Sequence, residues 1–307
     1  MELTINDLCS LLDIDRNQLD SKTLTHFKKI NRKFSLIQQN ELLELYKDIF
    51  SRLDSDQQKI GSKIRTKDWQ DGWKENLDLY LENPNDEKSL IPKFIRPNKA
   101  YRLFQKYIYA EDTMFELSIF EIFRSYLIEN FIKDFDHVYE FGCGTGFNLY
   151  EIAKRYPKKE LYGTDFVESS KLLVQQVAKN NSYNIVSDIF DFKKPNYSFQ
   201  IKPNSVVCTF GALEQINSEF YEFFKYLDTF KPDLIIHSEP MIEHYDKNNF
   251  NDYLAYTFYN NRGYTKGMLP YLRERSKKKE INIIKDTRVE FGSTLMEGFN
   301  LFIWRYN

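Results

Sequence analysis

The chain has 307 residues, of which 42% are hydrophobic and 29% charged, and its formal net charge is −2. This composition is typical of a globular protein and excludes a disordered or collagen-like chain. The slightly negative net charge argues against a broad nucleic-acid-binding surface, which is usually basic. The one dense basic run, residues 273–279, is short and fits a solvated helix end.

The sequence contains no run of about 20 apolar residues, so we expect no membrane span. The first fifteen residues, MELTINDLCSLLDID, contain early acids and no basic segment, which is not the pattern of a signal peptide. Cys9, Cys143 and Cys208 are widely spaced and form neither a CxxC pair nor a disulfide framework. We therefore expect a cytoplasmic protein with reduced cysteines.

Residues 1–112 are predicted to form a helical, loop-rich region. Within it, residues 40–53 carry apolar side chains at three- and four-residue spacing, which predicts an amphipathic helix capped by Asn40. Three prolines interrupt regular structure between residues 84 and 97. We expect this region to be an accessory domain that caps the substrate, followed by a second domain over residues 113–307.

Strands and helices alternate after a long predicted helix over residues 115–135. The predicted strands are 137–141, 160–166, 184–187, 205–210 and 232–237, and the helices between them are 147–156, 168–179 and 218–230. Alternation of this kind is typical of a parallel sheet that is covered by helices on both faces. The sequence therefore predicts a Rossmann-like, doubly wound α/β fold.

The last part of the chain departs from this alternation. An insertion over residues 238–280 precedes two predicted strands, 281–291 and 301–306. No helix fits between them, so we expect them to pair, which makes the sheet mostly parallel with an antiparallel C-terminal strand. The insertion is rich in aromatic residues, with a turn at residues 260–264 between two helices. Its aromatic side chains would suit a sugar-like acceptor or form only a packed lid.

Gly142, Gly144 and Gly146 lie between the first predicted strand and the next helix, where glycine permits a tight turn and close approach of a ligand. Asp165 ends the next strand, at about the distance of the acid that binds ribose hydroxyls in nucleotide-binding α/β folds. The third glycine comes one residue too early for the dinucleotide pattern G-x-G-x-x-G. Glu140 would also be poorly placed beside a pyrophosphate. The pattern favours a nucleoside ligand with an ammonium group and no phosphate.

The run YEFGCGTG, residues 139–146, resembles motif I of class I S-adenosylmethionine-dependent methyltransferases. The resemblance extends from about residue 115 to the C-terminus and implies S-adenosyl-L-methionine as cofactor. The binding residues that it implies are Glu140 at the methionyl amino group, Gly142, Gly144 and Gly146 along the methionyl and ribose portion, Asp165 at the ribose hydroxyls, Asp188 at the adenine amino group and Ile189 beside the ring. Asp191 is an alternative reader of the adenine.

The run TFGALEQ, residues 209–215, resembles the segment that follows the fourth strand in the same family, with Gln215 in place of a common histidine. We take Glu214 of this segment as a candidate catalytic residue, together with His237 and Glu239. His237 is predicted to end the fifth strand, at the rim where open α/β sheets bind ligands. Histidine also has a suitable pKa for deprotonating a hydroxyl.

Other interpretations of these residues stay open. His237 can be a hydrogen-bonded structural histidine, Glu239 can cap a turn, and Glu243 with His244 can form a solvated helix face. Two histidines and two glutamates can also hold a divalent ion, although we assign no metal site.

We expect a methyltransferase that modifies oxygen on a sugar or another small-molecule or glycan acceptor, because of His237, the nearby acids and the aromatic insertion. The runs GALEQ (residues 211–215), HSEP (237–240) and RGY (262–264) are also similar to bacterial methyltransferases of glycan and small-molecule biosynthesis. Alternatives are a nucleic-acid or protein methyltransferase, a nicotinamide-dependent oxidoreductase, and a module that binds the cofactor without catalysis. DNA amino-methyltransferases carry N/D-P-P-Y/F after the fourth strand, and residues 209–212 read TFGA here. We therefore expect no nucleic-acid partner.

Overall fold

The computed structural model describes residues 1–55, 60 and 63–307. Over these residues the chain forms ten α-helices and eleven strands in two sheets. The helices are α1 (Ile5–Leu12), α2 (Ser21–Lys29), α3 (Gln39–Ser55), α4 (Lys63–Glu82), α5 (Phe115–Leu127), α6 (Phe147–Arg155), α7 (Glu168–Asn181), α8 (Tyr221–Phe230), α9 (Phe250–Arg262) and α10 (Met268–Lys277). The strands are β1 (Phe34–Leu36), β2 (Ala100–Leu103), β3 (Lys106–Ala110), β4 (His137–Phe141), β5 (Glu160–Asp165), β6 (Ile185–Ile189), β7 (Ser205–Phe210), β8 (Leu234–Glu239), β9 (Ile281–Thr287), β10 (Phe291–Gly292) and β11 (Asn300–Tyr306).

The larger sheet has the order β6-β5-β4-β7-β8-β11-β9 among the described residues. Its strands β4 to β8 are parallel, and β11 lies between β8 and β9, antiparallel to both. The predicted Rossmann-like, mostly parallel sheet with an antiparallel C-terminal strand is therefore confirmed. The carboxyl ends of β4 and β5, which carry the predicted glycine loop and Asp165, are neighbours at one edge of this sheet.

The central strands are buried on both faces because successive side chains point to opposite sides of the sheet. Val138 and Val206 pack with α5, α6 and α7 on one face. Tyr139 and Val207 pack with α8 and α10 on the other face. This burial explains why apolar residues predominate in β4 and β7, and it makes the sheet a rigid base for the loops that follow each strand.

The N-terminal region is mostly helical, as expected, but it also contains three strands that we did not predict. With β10 these strands form an antiparallel sheet of order β1-β3-β2-β10 in the described part of the chain. The strand predicted over residues 281–291 is consequently divided between two sheets, since β9 ends at Thr287 and β10 joins the smaller one. Pairing of β2 with β10 fixes the N-terminal region to the C-terminal part of the chain.

Buried ion pairs strengthen this connection. Arg102 on β2 donates from Nη2 to Asp252 Oδ1 on α9 at 2.7 Å, and Arg288 Nη2 donates to the same oxygen at 2.7 Å. Arg288 also donates from Nε to Glu297 Oε2 at 2.8 Å. Arg102, Asp252 and Glu297 are buried, so removing one charge would leave the cluster with an unbalanced charge in the protein interior.

Two further expectations differ in detail from the structure. The helix predicted over residues 40–53 is α3, which begins at Gln39, so Asn40 lies inside the helix and does not cap it. The long helix predicted over residues 115–135 is α5 followed by a π-helical turn, Ile128–Ile132.

The insertion forms the two predicted helices, α9 and α10, with Gly263 ending α9 at φ +73°. In the described ranges, no helix has both the length and the apolar character needed to cross a bilayer.

Candidate functional site

The glycine loop turns the chain from β4 into α6. The three glycines of the loop have positive φ values, which other residues rarely adopt: +74° at Gly142, +53° at Gly144 and +73° at Gly146. Space is short as well: a Cβ on Gly142 would lie 2.3 Å from Ala212 Cβ, and one on Gly146 would lie 2.9 Å from Val174 Cγ2. Both conformation and packing therefore require glycine at these positions.

Asp165 ends β5 beside this loop. Its Oδ2 accepts a hydrogen bond from the Gly144 backbone N–H at 3.0 Å, and its Oδ1 accepts one from Val167 N–H at 3.3 Å. Burial raises the pKa of Asp165 to about 6, against the opposing effect of these backbone donors. The structure thus brings the predicted ribose-binding acid into direct contact with the glycine loop.

Glu140 lies on β4, two residues before the loop, and its side chain is buried. Its Oε1 accepts from Asn148 Nδ2 at 2.7 Å, whereas its buried Oε2 has no hydrogen-bond partner among the described residues. Burial raises the pKa of this carboxyl to about 8, although Asn148 and Arg124 favour its ionised form. A buried carboxyl oxygen without a donor is costly, so this atom is suited to accept from a ligand.

Asp188 and Ile189 end β6, the next strand of the sheet, where Asp188 pairs with Thr164 of β5. The Asp188 Oδ1 accepts from Lys171 Nζ at 3.0 Å and from Ile189 N–H at 2.8 Å. Asp191 lies beyond the strand, faces solvent and accepts from Lys193 N–H at 2.9 Å. Of the two acids considered for the adenine, Asp188 lies in the same row of strand ends as Asp165.

Two aromatic residues of this region were not singled out as cofactor-binding. Phe166 follows Asp165 directly and is 44% exposed, so its face is available to a flat ring. Trp73 of α4 lies on the glycine loop: a Cβ on Gly144 would be 2.8 Å from its Cζ2. The spacing of Trp69 and Trp73, one helical turn apart on a polar helix, indicates that both rings lie on one helix face, although it does not identify what that face contacts.

His237 was expected to end its strand at the rim of the sheet, and this expectation is wrong because β8 continues to Glu239. Its side chain is fully buried and packs against Phe224 and Trp304, with ring centroids 5.8 and 6.4 Å away. The Nδ1 atom lies 3.0 Å from Thr209 Oγ1. Burial lowers the pKa of His237 to about 3, so the imidazole is neutral at physiological pH. The structure therefore gives His237 the surroundings of a core residue.

Glu239 is also fully buried. Its Oε1 accepts from the backbone N–H groups of Ala212 and Leu213 at 3.1 and 3.2 Å, and its Oε2 accepts from that of Glu214 at 3.3 Å. Burial raises its pKa to about 7 despite these donors. Glu239 thus holds the start of the short 3₁₀-helix that follows β7.

Glu214 lies in that 3₁₀-helix, buried next to Glu239. Its Oε1 accepts from Gln215 Nε2, and its buried Oε2 has no hydrogen-bond partner within the part of the chain that the structure describes. Burial, and then the charge of Glu239, raise the pKa of Glu214 to about 8. Arg65 of α4 donates from Nη2 to Gln215 Oε1 at 3.0 Å, so a chain of polar contacts connects Glu214 to the helix that covers the glycine loop.

The remaining acid and histidine of the predicted cluster have partners elsewhere. Glu243 Oε1 accepts from Gly267 N–H at 2.7 Å, and His244 Nε2 lies 3.6 Å from Asp286 Oδ1. The structure therefore does not bring His237, Glu239, Glu243 and His244 together around one point. Across residues 1–55, 60 and 63–307, no group of three or more histidine, cysteine or acidic side chains is arranged to hold a metal ion.

No family model and no curated protein matches the chain. Solved structures with a similar fold include magnesium protoporphyrin IX methyltransferase from Synechocystis PCC 6803 with bound SAH, at 12% identity and a TM-score of 0.47, covering 64% of this chain and 85% of that one. The MccD protein is 15% identical with a TM-score of 0.45, covering 61% and 97%. Human N-acetylserotonin methyltransferase in complex with SAM is 14% identical with a TM-score of 0.42, covering 63% and 55%. Similarities this distant do not by themselves assign a function.

Proposed function

We propose that this protein is an S-adenosylmethionine-dependent methyltransferase that acts on a small-molecule acceptor. The observation that carries the proposal is the pair of buried carboxyls, Glu140 and Asp165, beside one glycine loop. The Oε2 of Glu140, which has no partner among the described residues, suits an ammonium donor. Asp165, at the end of the neighbouring strand, suits ribose hydroxyls. S-adenosylmethionine carries both groups and no phosphate.

Of these two carboxyls, Glu140 argues against a nicotinamide dinucleotide, whereas Asp165 would suit the ribose of either ligand. A pyrophosphate at the glycine loop would lie beside Glu140, which is buried where solvent screens little. Burial also strengthens repulsion between like charges. A cationic ligand instead offsets the cost of ionising these acids in the protein interior.

Bound S-adenosylmethionine supplies an electrophilic methyl group on a positively charged sulfur. The task of the chain is to align this methyl group with the acceptor and to exclude water, since methyl transfer is an in-line displacement. Gly142, Gly144 and Gly146 let the ligand approach the backbone, and Asp188 with Ile189 would bind the adenine. Helix α4 covers the loop and would keep water out.

On the acceptor side, we favour Glu214 as the group that takes a proton from an acceptor hydroxyl, such as that of a sugar. It combines a buried carboxyl oxygen without a partner and a pKa of about 8, which suits a general base near neutral pH. Glu239 has both oxygens bound to backbone donors, and His237 is enclosed by the core. These two residues are better suited to positioning Glu214 and the strand end than to contacting the acceptor.

Calorimetric titration with S-adenosylhomocysteine tests the cofactor assignment, with NADH as the competing ligand. We expect the wild type to bind S-adenosylhomocysteine and not NADH, and Asp165→Asn to weaken binding at least tenfold, since it removes an acceptor for ribose hydroxyls. Asp136→Asn is the matched control, because Asp136 lies at the amino end of β4, on the opposite edge of the sheet. Binding of NADH alone would overturn the proposal.

Transfer of a radiolabelled methyl group from S-adenosylmethionine to a panel of sugars, phenols and amines tests the acceptor chemistry. Glu214→Gln should slow transfer to a hydroxyl acceptor about a hundredfold or more, the usual contribution of a general base. The affinity for S-adenosylhomocysteine should stay unchanged in this variant. Labelling of amines alone would contradict O-methylation, and full activity of Glu214→Gln would remove its assignment as the base.

A further inference from the structure

Helix α4 places an aromatic cluster against the glycine loop, although it lies about 70 residues earlier in the chain. Trp73 is buried, and three of its ring atoms, Cζ2, Cη2 and Cε2, would be 2.8, 3.1 and 3.3 Å from a Cβ on Gly144. Contact this close means that the indole occupies the side-chain direction of the central glycine. The loop is thus bounded by Asp165 on one side and by an aromatic ring on another.

Trp73 is held in place by other rings. Trp69 lies one turn earlier on α4, with ring centroids 5.3 Å apart, and Phe94 packs 6.5 Å from both. The guanidinium of Arg65 lies 5.3 Å from the Trp69 ring centroid. Phe94 is largely exposed and Trp69 is partly exposed, whereas Trp73 is the ring at the loop. The cluster therefore has one inner member and two outer members.

Hydrogen bonds fix this cluster to the elements that surround the loop. Ser169 Oγ on α7 donates to Gln70 O on α4 at 2.8 Å. Thr145 Oγ1, within the glycine loop itself, donates to Leu90 O at 2.6 Å. These contacts tie α4 and the segment after it to the loop from two directions. Trp73 therefore lines the candidate site itself.

We propose that Trp73 recognises the positive charge of the sulfonium, so that the site binds S-adenosylmethionine in preference to its neutral product S-adenosylhomocysteine. The inference rests on the function proposed above, in which the methionyl and ribose portions of the ligand lie along Gly142 to Gly146. The sulfur joins these two portions and would therefore lie over the same loop on which Trp73 packs. An aromatic face attracts a cation, and tryptophan does so most strongly.

The loss of positive charge during methyl transfer would help the product to leave. Methyl transfer removes the charge from the sulfur, so the attraction to Trp73 is present before the reaction and lost after it. Preferential loss of product affinity favours release of S-adenosylhomocysteine, which otherwise competes for the same site. A side chain that only anchors α4 would support both ligands equally, because the two differ at this point only by the methyl group and the charge.

Equilibrium titrations of the full chain with S-adenosylmethionine and with S-adenosylhomocysteine test the proposal. We expect Trp73→Leu to weaken S-adenosylmethionine binding about tenfold more than S-adenosylhomocysteine binding, the size of a desolvated cation–π contact. Trp73→Phe keeps an aromatic face and should show a smaller change in this ratio, which covers the case in which the leucine variant does not fold. Trp69→Leu removes an outer ring of the same cluster and should leave the ratio unchanged.

The outcomes separate this inference from the proposed function. If wild type binds both ligands and Trp73→Leu weakens both by the same factor, Trp73 is only an anchor and the inference is overturned while the function stands. If Trp69→Leu changes the ratio and Trp73→Leu does not, the residue is misassigned and the inference also fails. If wild type binds neither ligand, both the function and the inference are wrong.

Discussion

We expect Glu140→Gln to stabilise the ligand-free protein at alkaline pH. Burial raises the pKa of Glu140 from its ordinary value of 4.5 to about 8. At 1.36 kcal/mol per pH unit, ionising this carboxyl costs about 5 kcal/mol more in the folded chain than in the unfolded chain. Between pH 4.5 and about 8 the folded chain keeps this proton and the unfolded chain loses it. The free energy of unfolding therefore falls through this window as pH rises.

Glutamine removes the ionisation and keeps a carbonyl that can accept from Asn148 Nδ2, the donor that lies 2.7 Å from Glu140 Oε1. The variant should exceed wild type in free energy of unfolding by up to about 5 kcal/mol at pH 9, and by little at pH 5. The corresponding rise in melting temperature at pH 9 is roughly 5–10 °C. Differential scanning calorimetry at both pH values measures it. An equal difference at pH 5 and pH 9 would show that the ionisation of Glu140 does not destabilise the folded chain.

The same substitution should weaken ligand binding. The Glu140 carboxylate pairs with the ammonium group of the ligand only after it has lost its own proton. Wild-type affinity for S-adenosylhomocysteine should therefore rise about tenfold between pH 6.5 and 8.5. The Glu140→Gln variant should bind about tenfold to a hundredfold more weakly at pH 8.5, the usual loss of a charged hydrogen bond, with little pH dependence. Calorimetric titration checks both. Wild-type affinity in the variant at pH 8.5 would contradict the assignment.

Three further variants test other parts of the account. Gly142→Ala should cost at least about 2 kcal/mol of stability, since its Cβ would lie 2.3 Å from Ala212 Cβ at a φ of +74°; an unchanged urea midpoint would contradict this. Asp252→Ala should cost about 3–5 kcal/mol, because the buried Arg102 would lose its nearer carboxylate, at 2.7 Å, and keep Glu297 at 3.5 Å; guanidinium denaturation measures the loss. His237→Leu should leave affinity for S-adenosylhomocysteine unchanged because the core encloses its ring; a tenfold loss would place the imidazole at the site.

The glycine loop and Asp165 were predictable because their chemistry depends on short segments at the ends of adjacent strands. Glycine at 142, 144 and 146 follows from local conformation, and an acid at the end of the next strand follows from the parallel sheet. Both signals lie within about 25 residues of sequence. The alternation of strands and helices between residues 137 and 239 was predictable because it also depends on short-range sequence patterns.

The burial of His237 in the core was not predictable, because it depends on where β8 ends. Side chains alternate across a strand, so two extra strand residues keep His237 on the same face as Ile235, inside the core. Periodicity alone does not fix a strand end to within two residues. The prediction of a rim histidine therefore failed at a strand boundary, even though the strand itself was correctly identified.

The smaller sheet escaped prediction because its hairpin lacks the usual turn residues. Strands β2 and β3 are joined by Phe104 and Gln105, which have φ values of +49° and +59°. Glycine, asparagine and aspartate normally supply such conformations in two-residue hairpins. The contact of Trp73 with Gly144 was missed for another reason: it joins distant parts of the chain, and only tertiary packing brings them together.

A crystal structure of the full chain with S-adenosylhomocysteine would show whether the glycine loop holds S-adenosylmethionine. We expect the amino group of the ligand to lie within hydrogen-bond distance of Glu140 Oε2 and the ribose hydroxyls to contact Asp165. Ligand density along Gly142 to Gly146 with this orientation would establish the site. Density elsewhere on the protein, or an empty loop at a saturating ligand concentration, would contradict it.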